Sequence, residues 1–113
     1  MERATELAGR LGLGGVLDRA ANQLSGGERQ RLGLARALGR PERLVLLDEP
    51  LAAIDRRDRE LVESVIVESL AERAAVIVTH DREVAAVLAH RVAVVIDGEI
   101  RQLGDVAVVP PHA

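Results

Sequence analysis

Residues 24–38 read LSGGERQRLGLARAL, and a short connection later residues 44–50 read LVLLDEP. A capped amphipathic helix leading into an apolar strand that ends in acids restricts the fold more than any other part of the chain. Leu32, Ala35 and Leu38 recur every three positions, with Gly39 and Pro41 as stop signals, so the spacing predicts a helix over 26–38. Residues 44–47 are continuously apolar, as expected of a central strand covered on both faces of a parallel sheet.

The rest of the chain continues the alternation. Ala4, Leu7, Ala8 and Leu11 at helical spacing predict a short helix over 2–11, which Gly12, Gly14 and Gly15 break. Leu61, Val65 and Ser69 fall on one line with Val62, Ile66 and Leu70 beside it, predicting a second helix over 56–70. Residues 74–78 read as another buried strand, 82–88 as a helix, and 92–96 as a strand that turns at Asp97 and Gly98 into 99–103. Strands alternating with helices imply crossover units, hence an α/β fold with a mainly parallel sheet. The functional edge of such a sheet is the carboxyl ends of its strands.

Composition removes several function classes. At 113 residues the chain is one domain at most, of a size that buries roughly two thirds of its unfolded surface. Aromatic residues are 0% of the chain, so no base can stack on a Phe, Tyr or Trp. All 15 basic residues are Arg, and a P-loop needs a Lys to reach the terminal phosphates of a nucleotide; any nucleotide chemistry here proceeds without a P-loop from this chain. The net charge of −3 offers no basic face to displace counterions, so direct DNA or RNA binding is not expected. Having no cysteine, the chain has neither disulfides nor thiolate metal sites, and a reducing compartment, the cytoplasm, is expected. No apolar run approaches the ~20 residues of a membrane-spanning helix, and the charged start is unlike a signal peptide. Pro110 and Pro111 mark a loose tail.

Four places could carry chemistry. Ser25 with Glu28 three positions on is a capping box, which by itself only satisfies the N–H groups of a helix start. Gly26 and Gly27 add a second possibility, since a phosphate can approach a helix start that has no side chains in the way. Asp48 and Glu49 end the apolar strand, and Pro50 biases Glu49 toward an extended backbone. By itself this is a strand leaving the core; alternatively a carboxylate there could hold Mg²⁺, which prefers oxygen ligands and keeps much of its water, while its neighbour orients or deprotonates an attacking water. Thr79, His80 and Asp81 follow the next strand; they cap the following helix, or His80 stabilises charge on a phosphate oxygen. Asp55 reads as an N-cap.

In this order the motifs resemble the carboxyl-terminal half of an ABC-type ATPase, the nucleotide-binding domain of ATP-binding-cassette transporters. Residues 24–30 are similar to the family's signature motif, 44–49 to its Walker B strand, 52–55 to its D-loop, and His80 to its switch histidine. The resemblance implies a partial P-loop NTPase-type three-layer fold lacking the P-loop strand. Residues 1–40 would be part of the helical signature subdomain, 41–105 the carboxyl-terminal part of the ATPase core, and 106–113 a tail. It also implies roles: Ser25 and Gly27, with Gly26 and Glu28 in the same nucleotide-binding turn, would meet the γ-phosphate of an ATP held by the partner subunit. Asp48 would help position Mg²⁺, Glu49 would be the general base, His80 a γ-phosphate contact, and Asp55 a residue of the dimer interface. The D-loop departs from the family in having Ala52 where Ser is frequent and Ile54 where Leu is frequent.

The family's P-loop, adenine-stacking aromatic and Q-loop lie upstream of the signature, where this chain has only residues 1–23. The expectation is therefore a truncated ABC transporter ATPase subunit, inactive alone. Its implied partners are a second ATPase subunit in a head-to-tail dimer and transmembrane permease subunits, at the inner face of the cell membrane. A non-enzymatic module completing a partner cassette's ATP site, and the carboxyl-terminal lobe of a DNA-repair or chromosome-maintenance ATPase, stand as alternatives. Unpaired strand edges and uncovered apolar surface predict poor solubility.

Overall fold

The computed structural model describes residues 2–15, 18–19 and 21–106; beyond Val106 the expected tail lies outside the described residues. In chain order the elements are α1 (Glu2–Arg10), a 3₁₀ turn (Ala21–Gln23), α2 (Gly26–Leu38), β1 (Leu44–Asp48), a second 3₁₀ turn (Arg56–Asp58), α3 (Arg59–Ser69), β2 (Ala74–Val78), α4 (Arg82–Leu88), β3 (Arg91–Ile96) and β4 (Glu99–Asp105). They form two compact units, Met1–Val78 and Thr79–Ala113.

In the first unit α1 packs on α2 and α2 on β1. The core is aliphatic throughout: Leu7 from α1, Leu11 just after it, Leu34, Ala35 and Leu38 from α2, Val45 and Leu47 from β1, and Val62, Val65 and Ile66 from α3 are all buried. Each large aliphatic side chain among them contributes roughly 1.5–3 kcal/mol by leaving water. The α3 stripe is Val62, Val65, Ile66 and Ser69, the i, i+3, i+4, i+7 set of a helix face. It lies one position away from the expected line through Leu61, which is 49% exposed. The helix also starts later than position 56, because Asp55 caps the 3₁₀ turn that comes first.

β1 and β2 are parallel, with Leu44 opposite Ala74 and Asp48 opposite Val78. The expectation that both strands are buried, and that β1 is central, is corrected here. Burial along β1 alternates, with Val45 and Leu47 buried while Leu44 and Leu46 are 54% and 68% exposed; in β2 only Ile77 is even half-buried. Among the described residues β1 pairs with β2 alone. A continuous apolar run signals a strand made for cover on both faces, but packing reaches only one face of this pair.

In the second unit Asp81 caps α4, its Oδ1 accepting from the N–H of Glu83 at 2.9 Å. β3 and β4 pair antiparallel, Ile96 facing Glu99. The expected turn stands at Asp97 and Gly98, both left-handed with φ of 52° and 78°, which is the geometry a two-residue hairpin loop demands and Asp-Gly supplies. Both strands run slightly beyond the expected limits, and the Val106 N–H donates to the His90 carbonyl at 3.2 Å at the open end.

Candidate functional site

The start of α2 is a complete capping box. Ser25 Oγ accepts from the Glu28 N–H and Glu28 Oε1 accepts from the Ser25 N–H, each at 3.0 Å. That backbone hydrogen bond is the main reason the Glu28 carboxyl sits below its ordinary value, with Arg19 and Arg31 adding favourable charge. The two N–H groups the box does not engage belong to Gly26 and Gly27, and the Ser25 hydroxyl, used as an acceptor, retains its own proton to donate. Ser25 and Gly26 are exposed. An anion meeting this helix start would find those three donors together with the positive end of the helix dipole.

The two glycines differ in what they do within the chain. A Cβ on Gly26 would meet open space, whereas one on Gly27 would stand 2.9 Å from the Ala53 carbonyl oxygen. Gly27 therefore lets α2 lie directly on the loop that follows β1.

That loop begins at the acids. Asp48 is exposed at the end of β1 and Glu49 is half-buried. The expected extended backbone at Glu49 is not found: its φ is 47°, in the left-handed region. A following proline penalises the right-handed helical region, but it does not fix the alternative; hydrogen bonds do. The Glu49 N–H donates to Val78 O at 2.7 Å, prolonging the β1–β2 ladder, and the Ala52 N–H donates back to Glu49 O at 3.2 Å. Gln30 Nε2 donates to the same Glu49 carbonyl at 2.6 Å. A non-glycine residue in this conformation costs of order 1–3 kcal/mol and persists only where its surroundings hold it.

Gln30 is the functional candidate that reading the sequence missed. Besides its bond to Glu49, its Oε1 accepts from the Ala53 N–H at 2.6 Å. It lies within the signature string, but its partners are 19 and 23 residues away, a separation that no local pattern encodes. Arg31, on the next turn position, reaches Asp58 at 3.7 Å.

Asp55 takes the capping role, accepting from the Arg57 N–H at 3.1 Å and from the Arg57 guanidinium at 3.2 Å. The backbone bond, followed by the guanidinium, lowers its carboxyl below the ordinary value. Ser25, Gly26, Gly27, Glu28, Asp48, Glu49 and Asp55 thus all belong to the first unit. His80 belongs to the second, exposed in the turn before α4, between Thr79 and Asp81, whose N–H donates to Thr79 Oγ1 at 3.0 Å. Among the described residues no three His, Asp or Glu side chains converge as a metal cage. One exposed carboxylate at a strand end suits Mg²⁺, which takes one or two carboxylates and completes its shell with water and phosphate oxygens.

Residues 1–52 match the family model described as ABC transporter. Over 104 residues the chain is 45% identical to the molybdate/tungstate import ATP-binding protein WtpC of Archaeoglobus fulgidus, an alignment spanning 90% of this chain and 43% of that protein. The chain belongs to the ABC-type ATPases. This ABC-type chain is also 45% identical over 101 residues to the macrolide export ATP-binding/permease protein MacB of Nitrosomonas europaea, spanning 88% of itself and 15% of that protein. It therefore spans less than half the length of either relative. Among solved structures it matches MJ0796, a bacterial ABC transporter cassette determined as a dimer, with a TM-score of 0.77, 30% identity, and coverage of 93% of this chain and 46% of that one. The ABC-type fold accounts for the α/β architecture with its parallel strand pair. No helix among the described residues is long and apolar enough to cross a membrane.

Proposed function

We propose that the chain is the carboxyl-terminal part of an ATP-binding and ATP-hydrolysing subunit of an ABC transporter. In this reading it works in a head-to-tail pair with a second ATPase subunit, docked on transmembrane permease subunits at the inner face of the membrane. The observation that carries the reading is the joining, within one packed unit, of a capped helix start with open donors and a strand end bearing two adjacent acids. Residues 1–40 then serve the signature subdomain and 41–105 the ATPase core, a division by role that crosses the packing of α2 on β1.

The chemistry assigned to each residue follows from its setting. At the helix start the Ser25 hydroxyl and the N–H groups of Gly26 and Gly27 donate to oxygens of the γ-phosphate bound by the partner subunit, while Glu28 keeps Ser25 in its capping rotamer. Asp48 holds Mg²⁺ directly or through its waters; that ion, when bound, neutralises charge on the phosphate oxygens. Glu49 accepts a proton from the attacking water as its oxygen bonds to the γ-phosphorus and the bond to the ADP oxygen breaks. His80 donates an N–H to the γ-phosphate, and Asp55 lies at the subunit interface. The ATP that Glu49 and His80 face is held by a P-loop that these 113 residues do not contain, so alone they are inactive.

The test is Mg²⁺-dependent phosphate release by the chain joined to an upstream P-loop-bearing segment, so that Glu49 faces the ATP that segment holds. A positioned general base contributes roughly 10²–10⁴-fold, so Glu49→Gln is expected to lose that factor while ATP-dependent association persists. Unchanged turnover in Glu49→Gln would remove the assigned base, and absence of any ATP-dependent association would remove the reading.

A further inference from the structure

Gln30 makes two bonds that only an amide of its length can make together. Nε2 donates to the Glu49 carbonyl and Oε1 accepts from the Ala53 N–H, both at 2.6 Å. Glutamate in its place would keep the acceptor and lose the donor; alanine would lose both; asparagine is one methylene shorter. The side chain spans the loop 49–53 as a neighbouring strand would, pairing with one C=O and one N–H of the backbone. Inside that span Pro50 and Leu51 are buried, and the Gly27 backbone rests against the Ala53 carbonyl. One end of the loop is Glu49 with its φ of 47°. The other is the segment leading into the Asp55 cap.

We propose that Gln30 is a positioning residue for the Glu49 carboxylate. It pins the left-handed turn from which that side chain projects, and it fixes the turn to the helix whose first residues are Gly26 and Gly27. The helix start that meets one phosphate and the acid that activates water for another are thereby held at a set separation by one side chain. The catalytic half of this inference rests on the ATPase reading above; the structural half does not.

Two measurements separate them. Backbone amide exchange is followed at Ala53 in the 113-residue chain, with far-UV circular dichroism as the fold control. Gln30→Ala is expected to speed exchange at Ala53 about fivefold to tenfold, the factor carried by one ordinary hydrogen bond, whereas Gln30→Glu retains the Ala53 acceptor and is expected to leave that amide protected. Unchanged exchange in Gln30→Ala overturns the tether whatever the chain's activity. In the chain joined to an upstream P-loop-bearing segment, both variants are expected to lower kcat by about tenfold or more, since small misplacements of a reacting group are costly, with KM for ATP unchanged. A rise in KM with kcat intact would make Gln30 a binding or merely structural residue and overturn the positioning role. Wild-type chain with no turnover in that assembly would instead refute the ATPase reading, leaving the exchange result to decide the tether.

Discussion

Arg73 ties together parts of the first unit that its secondary structure leaves loose. Its guanidinium donates to Leu38 O at 2.7 Å, to Arg40 O at 2.8 Å and to Ser69 O at 2.9 Å, with longer contacts to Glu42 O at 3.4 Å and, through Nε, to Ser69 O at 3.1 Å. Leu38 and Ser69 are the last residues of α2 and α3, whose terminal carbonyls have no partner within the helix and sit at the negative ends of their dipoles. One planar fork therefore closes two helices and the connection into β1.

Replacing Arg73 by Ala strands those acceptors. Leu38 and Ser69 are 0% and 6% exposed, so water reaches their carbonyls poorly, and an orphaned buried acceptor costs about 1–3 kcal/mol. The carbonyl of Arg40 belongs to an exposed residue and rehydrates. Counting the two buried acceptors at the lower half of that range and little for the third gives a loss of about 3 kcal/mol, a large part of the ~5–15 kcal/mol that holds an ordinary domain folded. With a urea slope of about 1.5 kcal/mol/M the unfolding midpoint should fall by about 2 M. Aromatics are 0% of the chain, so the assay is far-UV circular dichroism in place of intrinsic fluorescence, at low micromolar protein. Arg73→Lys should recover less than half of the loss, because an ammonium is a single point of charge without the planar fork. A midpoint for Arg73→Ala within about 0.3 M of wild type, the range of an ordinary surface change, would refute the argument.

The Glu28 carboxyl is lowered in the folded chain, so its stabilisation is complete above the ordinary value of 4.5 and is lost as pH falls through the folded value. Urea midpoints of wild type and Glu28→Ala should accordingly converge at acid pH; a gap that widens on acidification would contradict the capping assignment. Gly27→Ala places a Cβ 2.9 Å from the Ala53 carbonyl oxygen, an overpacking expected to cost about 1–3 kcal/mol in the same urea assay, while Gly26→Ala, facing open space, should cost less; equal effects would refute the contact. Leu46, 68% exposed on the uncovered sheet face, is expected on substitution by Glu to reduce self-association in light scattering with little change in far-UV signal, and unchanged association would show that this face is not what brings chains together.

What the sequence made legible was local. The capping box, the Asp55 and Asp81 caps and the Asp97-Gly98 turn stand where the residues indicate, because each is settled by partners two or three positions away. The order of helices and strands was legible for the same reason. The three-residue displacement at the start of α3 and its shifted stripe reflect ends that caps and packing decide jointly. Burial of β1 and β2 was misread because an apolar run reports what a strand can bury, and the actual cover on each face is a tertiary matter. Glu49 was misread because Pro50 removes one backbone region, whereas Val78, Ala52 and Gln30, distant in sequence or unseen by pattern, choose among the others. Arg73 carries no local signal for its role, because its carbonyl partners lie up to 35 residues away.

The loop 49–53 shows how a site can be rigid while its sequence departs from the family's habit. The bonds that hold it run to backbone atoms: the Glu49 N–H and carbonyl, the Ala52 N–H, and the Ala53 N–H, with Gly27 resting on the Ala53 carbonyl. Because backbone groups are the same whatever the side chain, Ala52 in place of Ser leaves this framework intact. Ile54 in place of Leu is 6% exposed and fills an apolar site of similar volume, the kind of exchange cores tolerate at less than about 1.5 kcal/mol. The loop that presents Asp48 and Glu49 is thus held through backbone groups. Substitution at Gln30 should consequently disturb the loop more than substitution at Ala52 does, even though Ala52 lies inside it and Gln30 belongs to a different element.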